Sequence, residues 1–421
     1  MLYQWREAQR AFLQPLSDWA LSASQMYANP YSPLAHMPGA ARVSAGLELM
    51  HRLGKEYEKP PFGIKNIMIG GEEVPIIERC VLNKPFCKLI RFERLLPKSL
   101  SHRENDPSVL MFAPLSGHHA TLLRDTVRTM LPDHNVYITD WVDARMVPLA
   151  EGDFHLNDYV NYCIEFFRLL GPEVHSMSVC QPTVPVMAAI SLMCSLKDKA
   201  RPLSMTMMGG PIDSRRSPTT VNQYATDRPF AWFENNVIFR VPGKYPGAGR
   251  RVYPGFLQHA GFIAMNPDRH ATSHWDFYQS LVRGDMEDAE QHRRFYDEYN
   301  AVLDMPAEYY LDTIHTVFQQ HKLPNGSWDV DVDGELLRVD PKAIRDVPLF
   351  TIEGELDDIS GSGQTEAAHG LTPNLAPTHK QHHVAMGAGH YGIFSGRRWR
   401  ELIYPKVRDF IAAHPSRIKT R

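Results

Sequence analysis

The central part of the chain alternates between short apolar runs and amphipathic helical patterns. The predicted strands are residues 109–113, 136–140, 174–179 and 203–211, and they are separated by predicted helices at 122–131, 156–170 and 183–196. Continuous apolar strands are typical of parallel sheets that are buried on both faces. The pattern therefore predicts an α/β fold with a mostly parallel sheet and helices on both faces.

This alternation lapses after residue 213 and resumes with predicted strands at 347–352 and 380–386 and a helix at 398–413. The stretch between these two parts is rich in aromatic residues. From Phe230 to Phe318, 17 of the 89 residues are Phe, Trp or Tyr, whereas these residues make up 10% of the whole chain. We interpret residues 214–345 as a cap inserted into the sheet domain. The predicted units are then an N-terminal helical arm with short strands (1–105), the first part of the core (106–213), the cap (214–345) and the second part of the core (346–421).

The N-terminal arm has apolar residues that keep roughly to one helix face, among them Trp5, Phe12, Leu16 and Trp19. Such a face either packs on the body of the protein or contacts a separate hydrophobic surface. Because the apolar face is modest, packing is the favoured interpretation. Pro15 is predicted to kink this helix or to start a new one.

The composition narrows the class of protein. A net charge of −3 implies no bulk attraction to nucleic acid or anionic lipid. The five cysteines show no C-x-x-C spacing, which fits a reduced compartment without disulfides or a zinc site. The N-terminus carries charges too early for a secretion signal, and the longest nearly apolar run, 184–196, is too short to span a bilayer. We expect a soluble cytoplasmic protein with no transmembrane segment.

A candidate nucleophile lies between the predicted strand 174–179 and the helix that follows it. Ser178-Val-Cys180-Gln-Pro182 has the layout of a nucleophile elbow, although the usual pattern is G-x-S-x-G. Here cysteine replaces serine, and both glycines are missing. The segment alone is a weak signal, because a free cysteine is more often a small packing residue.

Two further residues complete a candidate triad. A cysteine nucleophile needs a base and an orienting acid, and in the α/β-hydrolase layout the acid and then the histidine follow the nucleophile, each after a strand. Asp357 follows the predicted strand at 347–352. His390 follows the predicted strand at 380–386 and lies between Gly389 and Gly392, before the last helix. Asp358 is also plausible, but Asp357 is preferred because the acid normally comes first after the strand. The predicted triad is Cys180, Asp357 and His390.

The remaining site residues are assigned less directly. The oxyanion hole is predicted to use the backbone N–H of Gln181 and an amide of the loop 114–118, for which Ser116 is the candidate. Trp232 and Phe256 are candidate substrate-binding residues in the cap. We expect no metal and no cofactor.

Several long segments resemble the intracellular polyhydroxybutyrate (polyhydroxyalkanoate) depolymerases of polymer-storing bacteria, and the likeness covers nearly the whole chain. The segments that carry it are residues 85–88, 113–126, 178–185, 207–213, 253–261, 354–361 and 389–399. The resemblance implies an α/β-hydrolase fold and a Cys-Asp-His triad, whose roles fall on Cys180, Asp357 and His390. It also implies cleavage of ester bonds in amorphous poly(3-hydroxybutyrate) granules in the cytoplasm, releasing 3-hydroxybutyrate or its oligomers, with no nucleic acid among the partners.

Two other functions stay open at the level of sequence. Polyhydroxyalkanoate synthases use the same three residue types, so a synthase or a coenzyme A-dependent acyltransferase is the first alternative. Synthases usually keep glycines around the cysteine, where this chain has Ser178 and Pro182, which favours the depolymerase. The second alternative is a non-catalytic granule-coat protein, and the intact triad argues against it.

Overall fold

The computed structural model describes residues 2–415. Its strands are β1 (Asn66–Ile69), β2 (Glu72–Asn83), β3 (Cys87–Arg94), β4 (Ser108–Phe112), β5 (Asn135–Trp141), β6 (Val174–Val179), β7 (Met205–Met208), β8 (Phe239–Arg240), β9 (Arg251–Tyr253), β10 (Met305–Pro306), β11 (Asp329–Val332), β12 (Glu335–Arg338), β13 (Leu349–Gly354) and β14 (Lys380–Ala385). Its α-helices are α1 (Leu2–Ala28), α2 (Ala40–Gly54), α3 (Arg124–Met130), α4 (Leu156–Leu170), α5 (Thr183–Ser195), α6 (Thr220–Thr226), α7 (Phe230–Asn236), α8 (Gly255–Met265), α9 (Pro267–Arg283), α10 (Met286–Tyr299), α11 (Ala307–Thr313), α12 (Lys322–Asn325), α13 (Ala367–Leu371), α14 (Gly396–Arg398) and α15 (Tyr404–Ala412).

Nine strands form one sheet in the order β1-β2-β3-β5-β4-β6-β7-β13-β14. The strands from β5 to β14 in this order are parallel, and β4 lies at the centre, where Leu110 is opposite Tyr137 of β5 and Ser176 of β6. The predicted mostly parallel sheet is therefore confirmed. β5 lies on one side of β4 and β6 lies on the other, so the direction in which strands are added to the sheet reverses at β4. Such a reversal leaves a crevice beyond the carboxyl ends of the strands.

The central strands of the sheet are buried on both faces, and most of their side chains are apolar. All residues of β6, β7 and β13 are buried, and so are four of the five residues of β4. The structure adds one feature that the sequence did not predict. β1, β2 and β3 join the same sheet as an antiparallel edge, since β3 pairs with β5, so the predicted division at residue 105 does not separate the sheet from the arm.

The predicted cap lies between β7 and β13. It contains α6 to α12, a three-stranded sheet of β8, β9 and β10, and the hairpin of β11 and β12. The hairpin packs on the core helix α4, where Asn161 Nδ2 donates to the backbone oxygen of Asp331 at 2.9 Å. The last part of the insertion is thus attached to the core, and the helices before it are the part that can cover the sheet edge.

The N-terminal arm is a pair of antiparallel helices. α1 continues through Pro15, so this proline does not start a new helix. Ser17 Oγ lies 3.0 Å from His51 Nδ1, and Ser24 Oγ donates to the backbone oxygen of Ser44 at 2.9 Å, which lets the helices approach through small residues. The preference for a packed apolar face was wrong, because the large apolar residues of α1 are exposed, with Phe12 83% accessible.

We expect the centre of β4 to be critical for stability. Leu110 is completely buried, so Leu110→Ala should lower the free energy of unfolding by about 2–5 kcal/mol through lost burial and a residual cavity. Leu336→Ala, at a position that is 70% accessible, is the matched control and should change it by less than about 0.5 kcal/mol. Denaturant unfolding measures both changes, and equal effects would contradict this account of the core.

Candidate active site

Cys180 lies on the tight turn between β6 and α5. Its φ of +67° is in the left-handed region, which is unfavourable for a residue with a side chain. Two hydrogen bonds hold the turn, from Cys180 N to the Met208 oxygen at 2.7 Å and from Thr183 N to the Cys180 oxygen at 3.1 Å. The turn therefore has the strand–turn–helix geometry of a nucleophile elbow and presents the Cys180 side chain at the carboxyl edge of the sheet.

Two glycines after β7 allow the elbow to form. At Gly210 a Cβ atom would overlap the Thr183 side chain and lie 2.5 Å from the Cys180 oxygen. At Gly209, where φ is +55°, a Cβ atom would lie 3.3 Å from both Asp357 Oδ2 and His390 Cε1. Neither glycine was predicted as a site residue, although a Gly-Gly pair directly after a buried strand is a signal of close backbone approach.

Asp357 follows β13 and points to His390. Its Oδ2 accepts a hydrogen bond from His390 Nδ1 at 2.8 Å, and its Oδ1 accepts from the backbone N–H groups of Ile359 and Ser360 at 2.9 and 2.8 Å. The Asp357 side chain is fully buried, whereas Asp358 is exposed. Of the two neighbouring carboxylates, the structure brings Asp357 to the histidine.

His390 connects the carboxylate with the cysteine. The ring is 5% exposed, and burial alone lowers its pKa. The charges of Cys180 and Asp357, together with side-chain hydrogen bonds to both, outweigh burial and raise the pKa of His390 well above its usual 6.5. Cys180, His390 and Asp357 therefore form a continuous line of contacts.

The two predicted oxyanion donors lie at the same edge of the sheet. The N–H of Gln181 directly follows the elbow, and it has no hydrogen-bond acceptor within residues 2–415. Ser116 is in the loop after β4, the strand that pairs with β6. That loop is fixed by the cap, because Leu303 N donates to the Gly117 oxygen at 2.8 Å. The buried side-chain amide of Gln181, which was not predicted as a site group, also has no partner among the described residues.

Aromatic side chains from the cap reach this loop. The ring of His118 stacks on Phe262 of α8 with centroids 4.8 Å apart, and it lies 5.3 Å from Tyr299 of α10 and 6.5 Å from Tyr391. The ring centroid of Tyr391 in turn lies 5.8 Å from that of His390. Burial lowers the pKa of His118 to about 4, so this ring is neutral at pH 7. These four rings form an apolar wall beside the triad, and the sequence pattern did not single out Phe262 or Tyr299 for it.

The two aromatic residues predicted to bind substrate pack elsewhere in the cap. Trp232 lies against a small apolar cluster that includes Phe233 and Leu311. Phe256 packs on Tyr3 of α1, with ring centroids 5.4 Å apart. Neither ring contacts the ring of His390 within the described part of the chain. Their role in substrate binding stays a prediction.

The sheet order and the elbow give the chain an α/β-hydrolase fold, as predicted. Residues 209–415 match the family model described as the PHB de-polymerase C-terminus. This part of the chain belongs to the PHB depolymerase family. The match includes Asp357 and His390, and Cys180 lies before it. Membership of this family supports ester hydrolysis as the activity.

The chain is similar to several solved structures at low sequence identity. A 2-hydroxy-6-oxo-6-phenylhexa-2,4-dienoate hydrolase from Rhodococcus sp. strain RHA1 is 13% identical, with TM-score 0.44 over 80% of this chain and 99% of that chain. A monoacylglycerol lipase from Paleococcus ferrophilus is 12% identical, with TM-score 0.42 over 73% and 96% of the two chains. A thermophilic esterase from Thermogutta terrifontis is 11% identical, with TM-score 0.39 over 84% and 98%. No curated protein sequence matches the chain significantly.

Within residues 2–415, no group of three His, Cys, Asp or Glu side chains is arranged to hold a metal ion. In the same part of the chain, no helix has both the length and the apolar character needed to cross a membrane.

The two aspartates can be separated by mutation. Asp357→Asn should lower the pKa of His390, because it removes a carboxylate that stabilises the imidazolium, and should reduce ester turnover by about 10³- to 10⁴-fold. Asp358→Asn is the matched control and should leave both nearly unchanged. An NMR titration of isotope-labelled histidine, with kinetics on a soluble ester, measures the two effects. The reverse ranking of the variants would assign the acid to Asp358.

Proposed function

We propose that the protein hydrolyses ester bonds of amorphous poly(3-hydroxybutyrate) on storage granules in the cytoplasm. The observation that carries the proposal is the line of contacts from Cys180 through His390 to Asp357, in a chain whose residues 209–415 belong to the PHB depolymerase family. In this proposal Cys180 is the nucleophile, His390 the general acid and base, and Asp357 the acid that orients the imidazole.

The first half of the reaction forms an acyl-enzyme. The Cys180 sulfur attacks the ester carbonyl carbon, and the new C–S bond leaves negative charge on the carbonyl oxygen. The unpaired N–H of Gln181 and an N–H of the Ser116 loop stabilise this oxyanion. When the intermediate collapses, the C–O bond breaks and His390 donates its Nε2 proton to the leaving 3-hydroxyl group. The raised pKa of His390 keeps this proton available at neutral pH.

The second half releases the acid. Neutral His390 takes a proton from water, and the resulting hydroxide attacks the thioester carbonyl. The C–S bond breaks, the Cys180 thiolate is regenerated beside the imidazolium, and the product leaves as 3-hydroxybutyrate or an oligomer of it. The hydrogen bond from His390 Nδ1 to Asp357 Oδ2 holds the ring in one orientation through both halves.

The surroundings of the triad suit a polyester of short, methyl-bearing units. Such a chain has ester oxygens as its polar groups and otherwise offers apolar contact. The wall of His118, Phe262, Tyr299 and Tyr391 supplies uncharged aromatic surface, because His118 is neutral at pH 7. The buried amide of Gln181 is available to a carbonyl oxygen of the substrate. We assign the segment of polymer next to the cleaved bond to this wall.

The nucleophile can be tested by substitution and by alkylation. Cys180→Ala should abolish turnover, by about 10⁴-fold or more, without lowering the melting temperature. Iodoacetamide should label Cys180 faster than exposed Cys80, because Cys180 lies beside the proposed general base His390. Cys87 and Cys163 should resist labelling, since burial raises the pKa of both thiols. Peptide mass spectrometry after timed labelling gives the rates. Surviving activity in Cys180→Ala would refute the proposed mechanism.

The aromatic wall predicts a difference between substrates. Phe262→Ala should reduce turnover of amorphous polymer by more than about fivefold relative to turnover of a short soluble ester, because only the polymer segment extends along the wall. Phe256→Ala is the control, and it should lower the melting temperature without changing this ratio, since Phe256 packs on Tyr3. If the two variants change the ratio equally, the wall does not bind polymer.

A further inference from the structure

Helix α1 carries a row of large apolar side chains that no part of residues 2–415 covers. We call Trp5, Phe12, Leu16, Trp19 and Met26 the apolar stripe; their accessible fractions are 63%, 83%, 47%, 58% and 54%. At 100° per residue these five positions fall within about 80° of the helix circumference, and at 1.5 Å per residue they extend over about 32 Å. Scattered apolar residues on a surface need no explanation, but a continuous aromatic row marks a binding surface.

The apolar stripe carries no charge. The charged residues of α1 are Arg6, Glu7, Arg10 and Asp18, whose formal charges sum to zero. By helical position all four lie on other sides of the helix. Glu7 and Arg10 also form ion pairs with the body of the protein, through Lys244 and Glu56. A helix that binds anionic lipid presents lysine and arginine beside its apolar face, so α1 is matched to an uncharged surface instead.

The apolar stripe belongs to the same rigid body as the candidate active site. Tyr3 of α1 donates its hydroxyl hydrogen bond to Asp304 Oδ2 at 2.6 Å, and both groups are buried. Asp304 adjoins Leu303, whose N–H donates to the oxygen of Gly117 at 2.8 Å. Gly117 is in the loop that carries Ser116. A surface bound by α1 is therefore held at a fixed position relative to the loop beside Cys180.

We propose that the apolar stripe is the surface through which the protein adsorbs to amorphous polyester, which rests on the function proposed above. An insoluble polymer must be bound at its surface before one segment enters the site. The polyester surface is uncharged and mainly apolar, and its ester oxygens are hydrogen-bond acceptors. The indole rings of Trp5 and Trp19 match this chemistry, because each combines a large apolar face with one N–H donor.

The test compares two pairs of identical charge changes on α1. The double variant Phe12→Glu with Trp19→Glu places charge on the apolar stripe, and Gln14→Glu with Gln25→Glu places the same charge on the exposed polar side. Both are made in full-length protein carrying Cys180→Ala, so that the granules persist during the assay. Co-sedimentation with protein-free amorphous poly(3-hydroxybutyrate) granules gives the affinity. We expect the stripe variant to bind at least about tenfold more weakly and the control to bind like its parent.

Three results would overturn the proposal. The first is equal granule binding by all proteins. The second is a dimer in light scattering that the stripe variant alone converts to monomer, which would assign the apolar stripe to a second copy of the chain. The third is that the stripe variant loses binding to phosphatidylglycerol vesicles but still binds granules like its parent. A milder pair, Phe12→Ser with Trp19→Ser, repeats the comparison if the glutamate pair melts below its control.

The test separates this inference from the proposed function. In protein with Cys180 intact, the stripe variant should hydrolyse a short soluble ester as fast as the control and digest granules at least about tenfold more slowly. If granule binding depends on the apolar stripe but no protein releases 3-hydroxybutyrate, the proposed function fails and the adsorption surface stands. If granules are digested equally fast by both variants, the adsorption surface fails and the proposed function stands.

Discussion

The end of β7 lies so close to the turn after β6 that residue 210 has no room for a side-chain carbon. This contact places the Cys180 oxygen and the Thr183 side chain directly against the backbone at Gly210, while Gly209 lies against Asp357 and His390. A left-handed φ at Cys180 costs about 1–2 kcal/mol, which the hydrogen bond to Met208 and the buried packing of β6 and α5 offset. The position of the candidate nucleophile thus depends on a close approach between two neighbouring strand ends.

A second constraint is the buried carboxylate beside this contact. A carboxylate without solvent needs hydrogen-bond donors, and Asp357 has three, from two backbone N–H groups and His390 Nδ1. The backbone donors fix the direction of the carboxylate, and the carboxylate fixes the direction of the imidazole. The same arrangement contributes to the raised pKa of His390, because the interactions of the ring with Cys180 and Asp357 outweigh the effect of burial. The orientation of the His390 ring and its raised pKa therefore both depend on the Asp357 carboxylate.

The arm, the cap and the loop after β4 meet around Asp304. This residue accepts from Tyr3 and from the N–H of Gly255, and burial raises the pKa of its carboxyl group. The arm is therefore joined to the cap by a buried polar contact, while its small residues pack on α2. Because Tyr3, Ser17, Ala20 and Ser24 take the buried face, the residues of the apolar stripe remain outside. The apolar stripe is exposed because a different face of α1 packs against the rest of the protein.

The sequence by itself determined the parallel core and the three candidate triad positions, because these follow from local patterns. Apolar runs separated by helical segments fix the strands, and Cys180, Asp357 and His390 are each recognised by their place after a strand. The tertiary structure decided what depends on contacts between distant segments. It joined β1 to β3 to the sheet, brought Phe262 and Tyr299 rather than Trp232 or Phe256 beside the site, and exposed the face of α1 that was expected to pack. An apolar periodicity shows that a helix has an apolar side, but it cannot show whether another part of the chain covers that side, because small residues such as Ser17 and Ala20 can supply the packed face instead.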